Sequence, residues 1–206
     1  MTSLAIFASG KGTNFRAIHK KVLEGHLPCN IPLLITDNSK AGALEYAEQC
    51  GIARHIVPPK QFQSSELFGT KLIEILTGYA IDYIALAGYL KMVPENVVSF
   101  YENRILNIHP ALLPSFGGRG MYGMRVHEAV FDSGAQYSGV TVHFVNNEYD
   151  SGAILLQKAV EIKTCKTPEE IARKVLKHEH LVYSDALKIL LEKKFRINGK
   201  RVFFDG

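Results

Sequence analysis

The sequence predicts an α/β fold in which helices flank a mainly parallel sheet. Short apolar runs alternate with amphipathic stretches along the first half of the chain, and this alternation is typical of parallel strands joined by helices. Several of the runs are apolar throughout, as expected of strands that helices cover on both faces. The 206 residues, 47% of them hydrophobic, are enough to bury a core without a disulfide or a metal.

The elements follow one another in a regular order. Strands are expected at residues 4–8, 31–36, 54–57, 83–87 and 105–109, and helices at 15–23, 41–50, 64–77 and 94–101. This succession is similar to a Rossmann-like, doubly wound core. After Pro110 we expect a glycine-rich loop at 116–123, a helix at 125–131, strands at 139–145 and 153–162, a helix at 168–191 capped by Thr167, and a hairpin turning at Asn198-Gly199. We predict a single domain over residues 1–206, with functional halves at 1–110 and 111–206.

Composition excludes several classes of function. The formal charge is +4, and its excess lies at residues 173–206, which hold nine Lys or Arg against four Asp or Glu, so no basic face for nucleic acid is expected. No run approaches the roughly 20 apolar residues of a membrane span. Cys29, Cys50 and Cys165 form no Cys-x-x-Cys motif, which favours reduced thiols and a cytoplasmic protein.

The segment Ser9-Gly-Lys-Gly-Thr-Asn14 lies between the first strand and the first helix. Glycines let backbone amides approach an anion, and the start of a helix adds unpaired N–H groups, so a phosphate site at Gly12, Thr13 and Asn14 is one interpretation. The order of residues fits neither a Walker loop nor the dinucleotide fingerprint. The alternative is an ordinary glycine turn in which Thr13 or Asn14 caps the helix.

Two polar residues end the fifth expected strand. Asn107 and His109 are two apart, so they share a face of the strand, and Pro110 helps to end it at the rim where ligands of such sheets bind. An amide donor beside an imidazole suits the stabilisation of an oxyanion during acyl transfer, although a lone histidine is also common in cores and turns.

Asp150, in the turn Tyr149-Asp-Ser-Gly152, and His143, on the preceding strand, form a weaker candidate pair. A carboxylate near an imidazole can accept a proton from an attacking amine, but aspartate before Ser-Gly is also ordinary turn chemistry. No metal is implied, because His178 and His180 are two apart on a helix and diverge by roughly 200°.

Five segments then point to a family. These are Ser9-Gly-Lys-Gly-Thr-Asn14, Leu86-Ala-Gly-Tyr89, Asn107-Ile-His-Pro-Ala-Leu-Leu-Pro114, Val142-His-Phe-Val145 with Asp150-Ser-Gly152, and Glu179-His180. In this order they resemble the phosphoribosylglycinamide formyltransferases, which use 10-formyltetrahydrofolate as co-substrate, and the resemblance covers nearly the whole chain.

The resemblance implies roles for individual residues. The implied catalytic set is Asn107, His109 and Asp150, with His143 behind it; Asn107 and protonated His109 stabilise the oxyanion, and Asp150 keeps His109 charged and relays a proton. The implied contacts to the ribonucleotide are Gly12, Thr13, Asn14, Arg104 and Glu179. The implied folate contacts are Leu90, Lys91, Met92, Val93, Asn146, Asn147 and Asp150.

Related activities remain as alternatives. Formyltetrahydrofolate hydrolase and methionyl-tRNA formyltransferase carry additional domains for which this chain is expected to have no room, and a sugar-amine formyltransferase fits the phosphate loop poorly. A binding protein without chemistry would not need Asn107, His109 and Asp150 together. The expected partners are small molecules, and the sequence is compatible with either a monomer or a homodimer.

Overall fold

A computed structural model describes residues 1–204 and divides the chain into two compact units. The first unit is Met1–Leu106, and the second begins at Asn107. The predicted single domain 1–206 includes Asp205 and Gly206, which lie outside the described residues. The boundary between the units lies close to the predicted functional division at residue 110.

The first unit consists of parallel strands connected by helices. Its elements are β1 (Thr2–Phe7), α1 (Thr13–Leu23), β2 (Cys29–Thr36), α2 (Gly42–Gln49), β3 (Ala53–Ile56), α3 (Ser65–Gly78), β4 (Tyr83–Leu86) and α4 (Glu95–Phe100). The strand order is β3-β2-β1-β4, and all three pairings are parallel. Strand β5 (Ile105–His109) begins in this unit and ends in the second.

Burial explains why the central strands are apolar throughout. Leu4, Ala5, Ile6 and Phe7 of β1 are all fully buried, so side chains on both faces of this strand are covered. Helix α1 is amphipathic and buries Phe15 and Ile18. The polar residues that follow β1 therefore begin where the buried strand ends.

The second unit contains antiparallel pairs and the longest helix. Its elements after β5 are α5 (Met124–Asp132), β6 (Tyr137–Phe144), β7 (Ile154–Glu161), α6 (Pro168–Glu192), β8 (Phe195–Asn198) and β9 (Arg201–Phe204). Strands β6 and β7 are antiparallel, β7 and β9 parallel, and β8 and β9 antiparallel. The predicted hairpin at Asn198-Gly199 is confirmed.

The α/β fold with a mainly parallel sheet and flanking helices is confirmed, with small differences at the ends of elements. Helix α1 begins at Thr13 instead of Phe15, and its N-cap is Gly12, not Thr13 or Asn14. Among residues 1–204 no helix combines the length and the apolar character that crossing a membrane would require.

Helix α6 begins as the sequence predicts. The Thr167 hydroxyl accepts a hydrogen bond from the Glu170 amide at 3.3 Å, Pro168 occupies the first turn, and the Glu170 carboxylate accepts from the Lys166 amide at 2.7 Å. Two amides at the helix start are thereby satisfied by side chains.

We expect Thr167→Ala to lower the free energy of unfolding by about 1 kcal/mol, because the Glu170 amide loses its capping oxygen. Urea denaturation followed by circular dichroism measures this change. Thr164→Ala, at an exposed position in the preceding turn, is the matched control and should leave the urea midpoint within error of the unchanged protein. Equal effects of the two substitutions would contradict the capping role.

Candidate functional site

Three polar side chains of the second unit converge where β5 ends. Asn107 and His109 both reach Asp150: the Asn107 Nδ2 atom lies 3.4 Å from Asp150 Oδ1, and His109 Nδ1 lies 3.5 Å from Asp150 Oδ2. The spacing of two along β5 places both side chains on one face, as the sequence predicts. The structure therefore brings together the three residues of the predicted catalytic set.

Burial and charge act in opposite directions on the ionisable members of this cluster. Burial lowers the pKa of His109 below its ordinary value, while the Asp150 carboxylate and the Phe116 carbonyl oppose that shift. Burial also disfavours the ionised form of Asp150. The nearby His143 and His109 rings and the hydrogen bond from the Gly118 amide outweigh this effect, so the pKa of Asp150 is lowered. Asp150 is therefore a carboxylate at neutral pH.

The glycine-rich loop contacts the same polar atoms. The His109 Nε2–H donates to the Phe116 carbonyl at 2.8 Å, and the Gly118 amide donates to Asp150 Oδ2 at 2.9 Å. The two atoms that face the His109 ring nitrogens, the Phe116 oxygen and Asp150 Oδ2, are both acceptors, and this geometry suits the protonated ring. Burial has the larger effect on the pKa of His109 and favours the neutral ring. The sequence did not reveal that a backbone carbonyl accepts a hydrogen bond from the His109 ring.

A tight turn presents Asp150. Its φ is 52°, in the left-handed region, and the turn is closed by the Ser151 hydroxyl, which contacts Asn146 Oδ1 at 3.2 Å and Glu148 Oε2 at 2.9 Å. A Cβ atom at Gly152 would overlap the Phe144 carbonyl, so only glycine lets the chain pass this close to β6. Asn146 is thus a structural part of the turn, and Asn147 beside it is exposed.

His143 lies against the cluster from β6. Its ring is 3% exposed, its Nε2 atom lies 3.1 Å from Asn107 Nδ2 and 3.6 Å from Asp150 Oδ1, and its Nδ1 atom lies 2.8 Å from the Phe144 carbonyl oxygen. The pairing of β6 with β7 contains a bulge at Val142 and His143, where β7 has an extra residue.

A second buried histidine was missed by the sequence analysis. His127 lies on the buried face of α5, its Nδ1 atom has no hydrogen-bond partner, and burial, aided by His109, lowers its pKa to about 4. The spacing Val126-His127 with Val130 marks a buried helix face, but nothing in the sequence places that face near His109.

The phosphate-loop candidate lies in the first unit. Gly12 has a φ of 73°, and a Cβ atom there would come within 2.8 Å of the Ala43 Cβ atom. The Ala43 amide donates to the Gly10 carbonyl at 3.2 Å, which fixes the loop against the start of α2. With glycine at the N-cap, no side chain of that residue covers the first amides of α1, and those amides and the helix dipole suit an anion.

Polar side chains connect this loop with the segment after β4. The Ser9 hydroxyl donates to Asp37 Oδ1 at 2.5 Å and accepts from the Leu90 amide at 2.9 Å, and Lys91 lies 3.5 Å from Asp37 Oδ2. The Leu90 amide is therefore already occupied. Leu90 is 50% and Met92 42% exposed, whereas Val93 is buried. Ser9 and Asp37 were not singled out from the sequence, although both follow buried strands directly.

Arg104 is placed at the opposite edge of the first unit from the loop. It lies just before β5, donates to the Phe100 carbonyl, and lines a shallow pocket with Met1, Thr2, Asp82 and Tyr83 at the amino ends of β1 and β4. The glycine loop follows the carboxyl end of β1. Within this unit the structure does not bring Arg104 together with Gly12, Thr13 and Asn14.

Glu179 lies in the middle of α6 and is partly exposed. In the part of the chain that the structure describes, no three His, Cys, Asp or Glu side chains gather in a way that could hold a metal ion.

Comparison with known proteins identifies the family of this chain. The sequence profile of the formyl transferase family matches residues 2–187, and the chain belongs to that family. A phosphoribosylglycinamide formyltransferase of Bacillus subtilis is 36% identical over 93% of this chain and 95% of its own length. The solved structure of a glycinamide ribonucleotide transformylase from Symbiobacterium toebii superposes with a TM-score of 0.92, at 35% identity over 99% of this chain and 94% of that one.

The plant relatives are longer. The chloroplastic phosphoribosylglycinamide formyltransferase of Arabidopsis thaliana is 45% identical over 94% of this chain, which spans 66% of the Arabidopsis protein. The chain thus spans slightly less than two thirds of that relative.

We expect the buried His127 to make the fold sensitive to acid. Because the folded-state pKa of about 4 lies below the ordinary 6.5, the unfolded chain binds more protons between these values. The free energy of unfolding therefore falls as the pH is lowered through this range, by about 3 kcal/mol for this group.

Urea denaturation at pH 7 and at pH 4 tests this expectation. His127→Gln should lose about 3 kcal/mol less than the unchanged protein between the two pH values. His26→Gln, at a surface side chain that is 61% exposed, is the control and should lose as much as the unchanged protein. An equal loss in all three proteins would show that His127 does not carry the effect.

Proposed function

We propose that this chain transfers the formyl group of 10-formyltetrahydrofolate to the amine of glycinamide ribonucleotide, a step of purine biosynthesis. The products are formylglycinamide ribonucleotide and tetrahydrofolate. The observation that carries the proposal is the buried cluster of Asn107, His109 and Asp150, in a chain whose relatives are named for this reaction. A protein that only binds these ligands has no need for an amide and an imidazole that both contact one largely buried carboxylate.

Asn107 supplies a hydrogen-bond donor for the oxygen of the formyl group. When the amine attacks the formyl carbon, that oxygen becomes an oxyanion, and a fixed N–H in a buried site stabilises it more strongly than water would. The Asn107 Nδ2 contact to Asp150 is 3.4 Å, which is long for a hydrogen bond, so one N–H is readily redirected to substrate.

His109 supplies a second donor once the Phe116 carbonyl gives way. Its Nε2–H is held by that carbonyl, itself an oxygen acceptor like the formyl oxygen. Negative charge developing on the substrate raises the affinity of the ring for a proton, which opposes the effect of burial. We therefore propose that His109 is protonated in the reacting complex, as the family resemblance implies.

Asp150 accepts the proton that the attacking amine loses. Its lowered pKa keeps it ionised, and its two oxygens lie against Asn107 and His109, so the proton can pass to the leaving folate nitrogen through His109 or a water molecule. The new bond joins the amine nitrogen to the formyl carbon, and the bond from that carbon to the folate nitrogen breaks. No covalent intermediate with the protein is required.

We assign the phosphate of the ribonucleotide to Gly12, Thr13 and Asn14, because the amides at the start of α1 suit an anion. Glu179 is assigned to the sugar part of the same substrate by the family resemblance. Arg104 stays a prediction on the same ground, and its place at the amino-terminal edge of the first unit favours another role.

The folate is assigned to two segments. The first is Leu90 to Val93, where the half-exposed apolar side chains of Leu90 and Met92 suit an aromatic ring system. The second is the turn of Asn146, Asn147 and Asp150. We further propose that the protein acts in the cytoplasm, as a monomer or a homodimer, on small molecules and without nucleic acid, membrane or metal.

Formation of tetrahydrofolate by the purified protein, with both substrates present, tests the proposal. Asp150→Asn should lower kcat by about 100-fold or more, because the amide cannot accept the amine proton. Asp132→Asn, on the exposed end of α5, is the matched control and should keep the full rate.

Omitting the amine separates transfer from hydrolysis. Tetrahydrofolate that forms at the same rate without glycinamide ribonucleotide would assign the chain to formyltetrahydrofolate hydrolysis. Replacing the ribonucleotide with an amino sugar or with methionyl-tRNA tests the remaining alternatives in the same assay.

Gly12→Ala should raise the KM for the ribonucleotide about tenfold and leave kcat nearly unchanged. A Cβ atom there meets Ala43 and strains the left-handed backbone, so the amides of the loop shift away from the phosphate. Gly10→Ala is the control, because a Cβ atom at Gly10 meets nothing within 4 Å. Equal KM values for the two variants would contradict the assignment of the phosphate to this loop.

A further inference from the structure

The hydrogen bonds of His143 fix the position of one of its protons. The Nδ1 atom lies 2.8 Å from the carbonyl oxygen of Phe144, and a carbonyl oxygen can only accept. Nδ1 therefore carries a hydrogen. In the neutral ring the other nitrogen, Nε2, is then a bare acceptor.

This acceptor faces Asn107. The Nδ2 atom of Asn107 lies 3.1 Å from His143 Nε2, so one amide hydrogen points into the ring nitrogen. With the amide turned over, the Asn107 oxygen would face the lone pair of Nε2, acceptor against acceptor. The neutral His143 ring thus distinguishes the two ends of an amide that are otherwise nearly equal in shape.

The second hydrogen on Asn107 Nδ2 is left for another acceptor. It can reach Asp150 Oδ1, which lies 3.4 Å from Asn107 Nδ2. A substrate oxygen can replace this long contact without disturbing the shorter one to His143.

We propose that His143 is a positioning residue for formyl transfer, which orients the Asn107 amide so that an N–H, and not the amide oxygen, meets the reacting carbonyl. This inference rests on the proposed function and names the residue that gives Asn107 its donor role. His143 itself touches Asn107, Asp150 and the Phe144 carbonyl and does not need to touch substrate.

A ring with two protons would not do this. Nε2–H would then face the Asn107 N–H, donor against donor, and it would turn either to Asp150 Oδ1, 3.6 Å away, or to an inverted Asn107 amide. The inverted amide presents its oxygen to the substrate and repels the oxyanion. The proposed orientation of Asn107 therefore requires a hydrogen on His143 Nδ1 and none on Nε2.

Nitrogen NMR tests the arrangement without any turnover. In uniformly labelled protein at the pH of the assay, the His143 ring nitrogens should show hydrogen on Nδ1 and none on Nε2. A scalar coupling across the N–H···N hydrogen bond should connect Asn107 Nδ2 with His143 Nε2. A doubly protonated ring, a hydrogen on Nε2, or the absence of this coupling would overturn the proposal.

Two substitutions test the consequence for the reaction. Glutamine can place its amide oxygen near the position of Nε2 and so restore an acceptor for Asn107, whereas asparagine reaches only the position of Nδ1. His143→Asn should lower kcat about 10- to 100-fold with the KM of both substrates nearly unchanged, and His143→Gln should recover most of that loss.

The outcomes separate this inference from the proposed function. If the unchanged protein transfers no formyl group, the proposed function fails, while the NMR measurement still decides the orientation of Asn107. Equal kcat values for His143→Gln and His143→Asn, in proteins with the same melting temperature, would overturn the positioning role. If His143→Asn does not fold, two measurements decide. An unchanged rate in His143→Gln, together with the scalar coupling in the unchanged protein, supports the inference, and absence of that coupling overturns it.

Discussion

A buried carboxylate organises the second unit of this protein. The Asp150 side chain is only 11% exposed, and a charge removed from water at this depth is unfavourable unless hydrogen bonds and opposite charge replace the lost solvation. Asn107 and His109 of β5 and the Gly118 amide of the glycine-rich loop supply that replacement. The left-handed backbone of Asp150 and the close passage of Gly152 against β6 follow from the same requirement, since together they bring the carboxylate to these donors.

In the first unit, a hydrogen-bond network around Ser9 and the Asp37 carboxylate holds the candidate binding segments. The buried parallel strands of this unit end together, and the residues after them form hydrogen bonds to one another, with Ser9 joining Asp37 to the Leu90 amide. This network connects two candidate ligand-binding segments, the glycine loop and the segment at Leu90. Anion binding at the start of α1 then depends on amide groups whose positions are set by packing against Ala43.

Much of this could be predicted from the sequence, for reasons that lie in particular residues. The two-residue spacing of Asn107 and His109 and the strand around them are local features, so their shared face followed from periodicity alone. Thr167 and Asn198-Gly199 were equally local. Asp150 was a weak candidate, because the role of an aspartate in a turn depends on which distant segments contact it.

The remaining features depend on tertiary packing. The bulge between β6 and β7 beside His143 is one of them, because no sequence pattern indicates an extra residue in one strand. The burial of His127 near His109 depends on how α5 packs. The place of Arg104, in contrast, was predictable, because it directly precedes the strand expected at 105–109. The Phe116 carbonyl is backbone, so its hydrogen bond to His109 leaves no trace in residue identity at all.

That last contact bears on how inhibitors of this protein should be judged. A compound that hydrogen-bonds to His109 Nε2 must first displace an oxygen of the chain itself, so its measured affinity is reduced by the fraction of molecules in which the carbonyl still occupies the ring. Two compounds with the same contacts to His109 will differ in potency if one of them also stabilises the displaced conformation of the loop. Ranking such compounds by their contacts to His109 alone would therefore misjudge their potency. The conformation of the loop has to be considered together with the imidazole.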